Sequence, residues 1–279
     1  MKAKITPSDG PSAANWSPSH RRETAARWIP PTVAVFVAVV IWEVTIRVFD
    51  IKPFVLPSPI SVIEAALADF PSLMSNSWIT LQEVMAGFAL SVLVGVPLAV
   101  MIVSWTLAER AIYPLLIGSQ VVPKIAIAPL FIIWFGFGIA PKILVAFLVA
   151  FLPIVIDTII GLRATEIEKI YLARSMGASR LQVFFKIRLP NAMPSIFGGL
   201  KLAITLSVTG AVVGEFIGAD RGLGRVIVVA NGNLDTPGLF AAVTVLSAMG
   251  VALFLFINLL ERIVIRWHVS QRGIREGWL

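Results

Sequence analysis

RATEIEKIYLARSMGASRLQVFFKIRLPN, residues 163–191, is the stretch on which the reading of this chain turns. It is a charged island between long apolar runs, and its basic residues are Arg163, Lys169, Arg174, Arg180, Lys186 and Arg188. Two helix starts can be read in it. Thr165-Glu166-Ile167-Glu168 has the form of a capping box, in which Thr165 accepts from the backbone N–H of Glu168 and the Glu168 carboxylate reaches back. Ser179-Arg180-Leu181-Gln182 repeats the device. Gly177 suits the left-handed residue that ends a first helix, and Pro190 is expected to stop a second. The stretch reads as helix, tight turn, helix. A helical surface loop or a DNA-binding helix-turn-helix would share this outline, but apolar spans crowd both flanks and argue against DNA.

Composition fixes the setting. The chain has 279 residues, 57% hydrophobic and 14% charged, with mean hydropathy +0.88. A soluble domain carries about a quarter charged residues, so the expected class is all-α: a polytopic membrane protein of about six transmembrane helices with the helix pair on its cytoplasmic side. Cysteine is absent, which excludes disulfides and thiolate chemistry, and two histidines leave little for a metal. The net charge of +7 fits the Lys and Arg that membrane proteins collect in cytoplasmic loops. No basic stripe is interleaved with aromatics, so no nucleic-acid partner is expected. Neither a phosphate-cradling G-x-x-x-x-G-K-[ST] loop nor a triad, carboxylate pair or metal cluster occurs at catalytic spacing. No catalytic residue, cofactor or metal is therefore expected.

In chain order, residues 1–27 are polar and lack the apolar core of a secretory signal; they are expected to form a disordered cytoplasmic tail with His20 solvated. The transmembrane domain is expected over 28–265, and 266–279 forms a second cytoplasmic tail. The first span is expected at 31–49, with Trp28 and Trp42 as interface anchors and Glu43 pairing with Arg47 across one turn. In 54–70, Pro57 and Pro59 break the chain, and Ser58 or Ser61 caps a short amphipathic helix on the outer surface. The second span, 78–104, carries Gly87, Ser91, Gly95 and Ala99 at intervals of four, a small face that lets helices approach closely; Glu83 is expected near the interface or facing protein. The third, 112–134, is kinked by Pro114, Pro123 and Pro129. It holds Lys124, either a functional cation in the translocation path or one that snorkels or pairs with Glu83 or Asp157. Residues 134–138 form an outer turn.

The fourth span, 141–162, has a kink at Pro153, and its Asp157 is placed to neutralise Arg163 or Lys124. The fifth, 194–218, has two small faces: Gly199, Ala203, Ser207 and Ala211, and Gly210, Gly214 and Gly218. Its Thr205, Ser207, Thr209 and Glu215, together with Lys124, are the candidate wall of a path, with plain helix packing as the alternative for each. An outer loop, 220–236, holds Gly222-Leu223-Gly224 as a helix breaker and a short apolar helix over 225–230. The sixth span runs over 237–265. Inner segments then hold five basic residues in the first tail, Arg110, six in the 163–191 stretch and four from Arg262 onward, against Arg47, Lys52, Lys142, Arg221 and Arg225 outside. This asymmetry puts both ends in the cytoplasm.

The spacing within 163–191 carries a resemblance. Ala173, Gly177, Ile187, Leu189 and Pro190 fall where the EAA signature of bacterial ABC importer permeases has them, although Tyr171 and Leu172 replace its Glu and Ala. VVPKIAIAPLFIIWFGFGIAPKI upstream and GLKLAITLSVTGAVVGEFIGADRGLG downstream extend the likeness over 42–262, and the chain looks like the nitrate/sulfonate/taurine-type branch. The resemblance implies a bacterial inner-membrane location, a separate cytoplasmic ATPase subunit, an external solute-binding protein and a second permease copy in a homodimer. It implies ATPase coupling through Thr165, Ile167, Ile170, Tyr171, Leu172, Ala173, Gly177, Ala178, Ser179, Ile187, Leu189 and Pro190. Substrates of such a branch range from nitrate and taurine to pyrimidines and riboflavin, and the PKIAIAPLFIIWFGFG run leans toward the aromatic, vitamin-precursor class. The competing class is a secondary carrier or channel with Lys124, Asp157 and Glu215 as an ion relay; the absence of an internal repeat weighs against it.

Overall fold

A computed structural model of the chain describes residues 20–265, with side chains from Val33 onward. It falls into two units, residues 1–52 and 53–279. The first holds α1 (His20–Val48), which covers the stretch expected for the first span and carries the Glu43–Arg47 pair at 2.6 Å. Residues 1–19 of the expected tail lie outside the described residues, as do 266–279 and the side chains of His20 and Trp28; the helix already begins at His20.

The second unit opens with α2 (Pro59–Ala68). Its N-cap is Ser58, whose hydroxyl accepts from the Ser61 N–H at 3.1 Å, as the sequence expected. There follow α3 (Phe70–Ser104), α4 (Thr106–Ser119), a tight 3-10 turn over Lys124–Ile127, α5 (Ala128–Phe135) and α6 (Ile139–Arg163). Next come α7 (Ile167–Ser175), α8 (Arg180–Val183), a π-turn over Phe184–Arg188, α9 (Leu189–Gly218), α10 (Leu223–Gly232) and α11 (Thr236–Val264). Among the described residues four helices are long and apolar enough to cross a membrane: α3, α6, the continuous run 180–218, and α11. The expected third span is sharper than a kink. It is a broken pair, α4 and the segment Lys124–Phe135, bent by 88°; α4 ends at Ser119, Pro123 caps the turn that begins the second arm, and Pro129 lies in the first turn of α5, positions at which a proline gives no N–H to a continuous helix ladder.

At the centre α6 is clamped between α3 and α9. Both clamps use the small faces read in the sequence, and Gly87, Ser91, Gly95, Gly199, Ala203, Ser207, Gly210, Ala211 and Gly214 are all buried. A β-carbon at Gly87 would lie 2.5 Å from the Ala146 Cβ, and one at Gly210 would lie 2.7 Å from the Ala146 Cα on the other side. Gly214 lies against Lys142, Gly199 against Asp157, and Gly161 of α6 against Ala192 and Ser195. These contacts pair the two helices antiparallel along most of their length. Gly218 is half-buried, with Ile132 and Phe137 where its side chain would be. Ser91 adds a polar tie, donating to the Gly87 carbonyl at 2.8 Å and lying 3.1 Å from that of Phe147. In lipid, apolar burial does not separate packed from unpacked helices, so van der Waals fit and such bonds hold the bundle.

Candidate functional site

The helix pair of 163–191 forms, with two differences from the sequence expectation. Ser179 makes its capping box: its hydroxyl accepts from the Gln182 backbone N–H at 3.3 Å, and the Gln182 side-chain Oε1 accepts from the Ser179 N–H at 2.8 Å. Gly177 has φ +83° and turns the chain, with its N–H donating to the Arg174 carbonyl and that of Ala178 to the Ala173 carbonyl, both at 3.0 Å. The box at Thr165 does not form. Glu166 is the N-cap of α7, and the buried Thr165 hydroxyl instead accepts from the Asn191 amide at 3.4 Å, tying the start of α7 to the base of α9.

Pro190 does not stop the second helix either. It occupies the first turn of α9, and just before it the Leu189 N–H reaches back five residues to the Phe184 carbonyl. This π-turn absorbs the misfit that a proline imposes on a helix. The consequence is mechanical: α8, the π-turn and α9 form one helix from Arg180 to Gly218, so the second helix of the pair is an extension of the span, with no separate hinge at Pro190. Of the expected coupling residues, Ile167, Tyr171, Leu172 and the turn residues Gly177 and Ser179 are exposed. Met176 joins this apolar set at 79% exposure. Ile170 is buried against the chain itself, and Ala173, Ala178, Ile187, Leu189 and Pro190 are half-buried. α7 thus presents Ile167, Tyr171, Leu172 and Met176 outward while Ile170 anchors it.

The path candidates separate. Thr209 is exposed, Thr205 is half-buried and donates to the Leu202 carbonyl at 2.8 Å, and Ser207 is wholly buried with its hydroxyl unpartnered among the described residues. Glu215 is also wholly enclosed. One oxygen accepts from the Thr80 hydroxyl at 2.6 Å, and the other accepts from the Gly224 N–H at the start of α10. The Gly222 N–H donates to Asn76 at 2.8 Å and the Leu223 N–H to the Thr80 hydroxyl at 2.9 Å. Three free amides of one helix start are therefore satisfied by side chains of α3 and α9, an arrangement that the helix dipole favours for the carboxylate. This gives the Gly-Leu-Gly element its purpose. A β-carbon at Gly222 or Gly224 would run into Glu215.

Glu83 pairs with Lys142 of α6 at 2.8 Å, with both side chains at or below 9% exposure. The expected Lys124–Glu83 pair does not form, and Lys142, counted as an outer loop charge, is buried. Arg163 pairs with Glu109 at 2.6 Å and covers the Tyr113 ring at 5.1 Å, so it does not meet Asp157. Lys124 and Asp157 instead face one cavity of about 540 Å³ between the broken span, α6 and α9. No ion pair joins them. The Glu83–Lys142 and Glu215–Thr80 ties eluded sequence reading because their partners lie 59 and 135 residues apart. The one available signal was four ionisable or hydroxyl side chains in otherwise apolar spans.

The comparisons with known proteins agree with this architecture. Residues 87–268 match the family of binding-protein-dependent transport system inner membrane components. The chain is 37% identical to the formylaminopyrimidine transport permease protein ThiX of Halalkalibacterium halodurans, over 87% of this chain and 97% of that protein. It is 36% identical to the riboflavin transport system permease protein RibX of Chloroflexus aurantiacus, over 90% and 93%. It is 30% identical to the taurine transport system permease protein TauC of Escherichia coli, over 85% and 88%. In fold it is similar to an inward-facing structure of the MetNI methionine ABC transporter, with TM-score 0.61 and 18% identity over 71% of this chain and 98% of that one. The chain belongs to the binding-protein-dependent transport system inner membrane component family, and it is the membrane-spanning permease subunit of an ATP-driven ABC importer.

Proposed function

We propose that this permease carries a small heteroaromatic solute of the pyrimidine or flavin kind, handed over by an external binding protein, through a path made by two copies of the chain. Family membership implies a cytoplasmic ATPase subunit and a binding protein as partners. The observation that carries the solute class is the higher identity to the formylaminopyrimidine and riboflavin permeases, 37% and 36%, than to the taurine permease, 30%.

The exposed face of α7 is the part that docks on the ATPase. Ile167, Tyr171, Leu172 and Met176 form an apolar patch on a short helix, the form in which a helix seats in a groove, and Gly177 with the Ser179 capping box holds its angle. Because 180–218 is one helix, a push on the pair moves the span beside the cavity. ATP-driven movement at the cytoplasmic face thereby becomes alternating access. The excess of basic residues in the inner segments supports placing both ends of the chain on the cytoplasmic side. The test is uptake by the complete complex, reconstituted in lipid with its ATPase and binding protein, of formylaminopyrimidine, riboflavin and taurine. ATP-dependent uptake of a pyrimidine or flavin is expected; uptake of taurine alone contradicts the solute class.

A further inference from the structure

The cavity between the broken span, α6 and α9 has features that helix packing does not require. Three polar side chains line it. Lys124 stands at the head of the 3-10 turn where the span breaks, Gln120 lies just before it, and Asp157 faces them from α6. Pro153 lies inside α6 and has no N–H to give to the carbonyl of Val149, one turn earlier, and both residues line the cavity. Neither Lys124 nor Asp157 has a hydrogen-bond or ion-pair partner among the described residues. A charge inside a span without a partner is costly and marks a ligand or ion position by default. The rest of the wall is aliphatic: Leu152, Ile156, Leu202 and Leu206.

We propose that this cavity is a solute-binding station of the permease, and that Lys124 and Asp157 read a planar heteroaromatic solute by opposite edges. This inference rests on the importer reading above. Lys124 can only donate, and an ionised Asp157 can only accept. A complementary ligand therefore offers an acceptor, such as a ring nitrogen or carbonyl, toward the broken span, and a donor, such as an exocyclic amino group, toward α6. A zwitterion such as taurine would satisfy both charges but leave the aliphatic walls unused. A flat ring between Leu152, Ile156, Leu202 and Leu206 uses them, and the volume of about 540 Å³ lies in the ~300–1,000 Å³ range of small-molecule sites. Gly199 of α9 packs against Asp157. The α9 backbone comes so close there that a β-carbon on Gly199 would stand 2.8 Å from the Asp157 Cβ.

The test is a selectivity ratio. The reconstituted complex, with its ATPase and binding protein, is given formylaminopyrimidine and its counterpart with oxygen in place of the ring amino group. A site that accepts from the amino group disfavours the oxo compound, which leaves the carboxylate facing an acceptor. Wild type is expected to import the amino compound at least about tenfold faster. Asp157→Asn presents an amide that can donate or accept, so its ratio is expected to fall to within about threefold of unity. The binding protein contributes the same factor to both ratios, and loss of folded complex lowers both uptakes alike. Lys124→Met is expected to raise the KM of uptake for the amino compound at least about tenfold. An unchanged ratio in Asp157→Asn, an unchanged KM in Lys124→Met, or a wild type that hydrolyses ATP on demand of its binding protein yet imports neither pyrimidine, each overturns the proposal. Failure of the wild-type chain to join any ATPase or drive any uptake would instead overturn the importer reading.

Discussion

Ala146 of α6 touches Gly210 of α9 backbone to backbone: a β-carbon on the glycine would stand 2.7 Å from the alanine Cα. The same alanine meets Gly87 of α3 on its opposite side. One alanine, by its backbone toward Gly210 and its methyl group toward Gly87, thus sets the spacing of three spans. Gly210→Leu forces two helices apart and is expected to cost about 1–3 kcal/mol or more, since overpacking displaces backbone here. Val213→Leu, at a half-buried position of the same helix, is expected to change little. Thermal unfolding of the two variants in detergent checks this, and equal midpoints would contradict the clamp.

Glu83 and Lys142 form a buried ion pair that also ties α3 to α6. Removing one partner of a buried pair strands the other charge and typically costs about 3–5 kcal/mol, whereas replacing both is far milder. Lys142→Met is therefore expected to lower the yield of folded protein sharply, and the double variant Glu83→Leu/Lys142→Met is expected to recover much of it. A double variant no better than Lys142→Met would argue that the pair does not act as a unit.

How much of this was legible in the sequence depends on range. The small faces of the second and fifth spans, the turn at Gly177, and the caps at Ser58 and Ser179 follow from spacing or from chemistry within four residues, and all are present. What failed was a competition between nearby and distant partners. Thr165 had a local acceptor role available and took Asn191 instead. Pro190 had the signature of a stop, but a π-turn at 184–188 accommodates it. Glu215 was read as a polar group of the path and is the cap of α10. Nothing in the order of residues says that Thr80 and Glu215 meet across two helices, whereas the family resemblance needed only the spacing inside one helix pair.

The α10 cap gives its own test. Glu215→Ala removes the acceptor of the Gly224 amide, and loss of a helix N-cap bond costs about 1 kcal/mol. The amides of residues 223–226 are expected to exchange with deuterium several-fold faster, while those of α6 remain protected. Uniform acceleration in both helices would show that Glu215 acts on global stability only.

Orientation is checked by labelling. Cysteines at Gly177 and Asp220, in a chain that has none of its own, are expected to react with an impermeant thiol reagent from opposite sides: Asp220→Cys in intact cells, Gly177→Cys only after lysis. Labelling of Gly177→Cys in intact cells would reverse the topology.

The most direct measurement of the central claim is ATP hydrolysis by the purified complex in lipid, with and without loaded binding protein, for Gly177→Val. A β-carbon at Gly177 meets nothing within 4 Å, so the substitution acts through its φ of +83° alone, a conformation that a β-branched residue adopts badly. The helix pair should then leave its angle while the spans stay intact. The account predicts a complex that inserts normally but has lost stimulation by the binding protein, with transport lost alongside. Wild-type stimulation in Gly177→Val would contradict the assignment of 163–191 as the coupling lever.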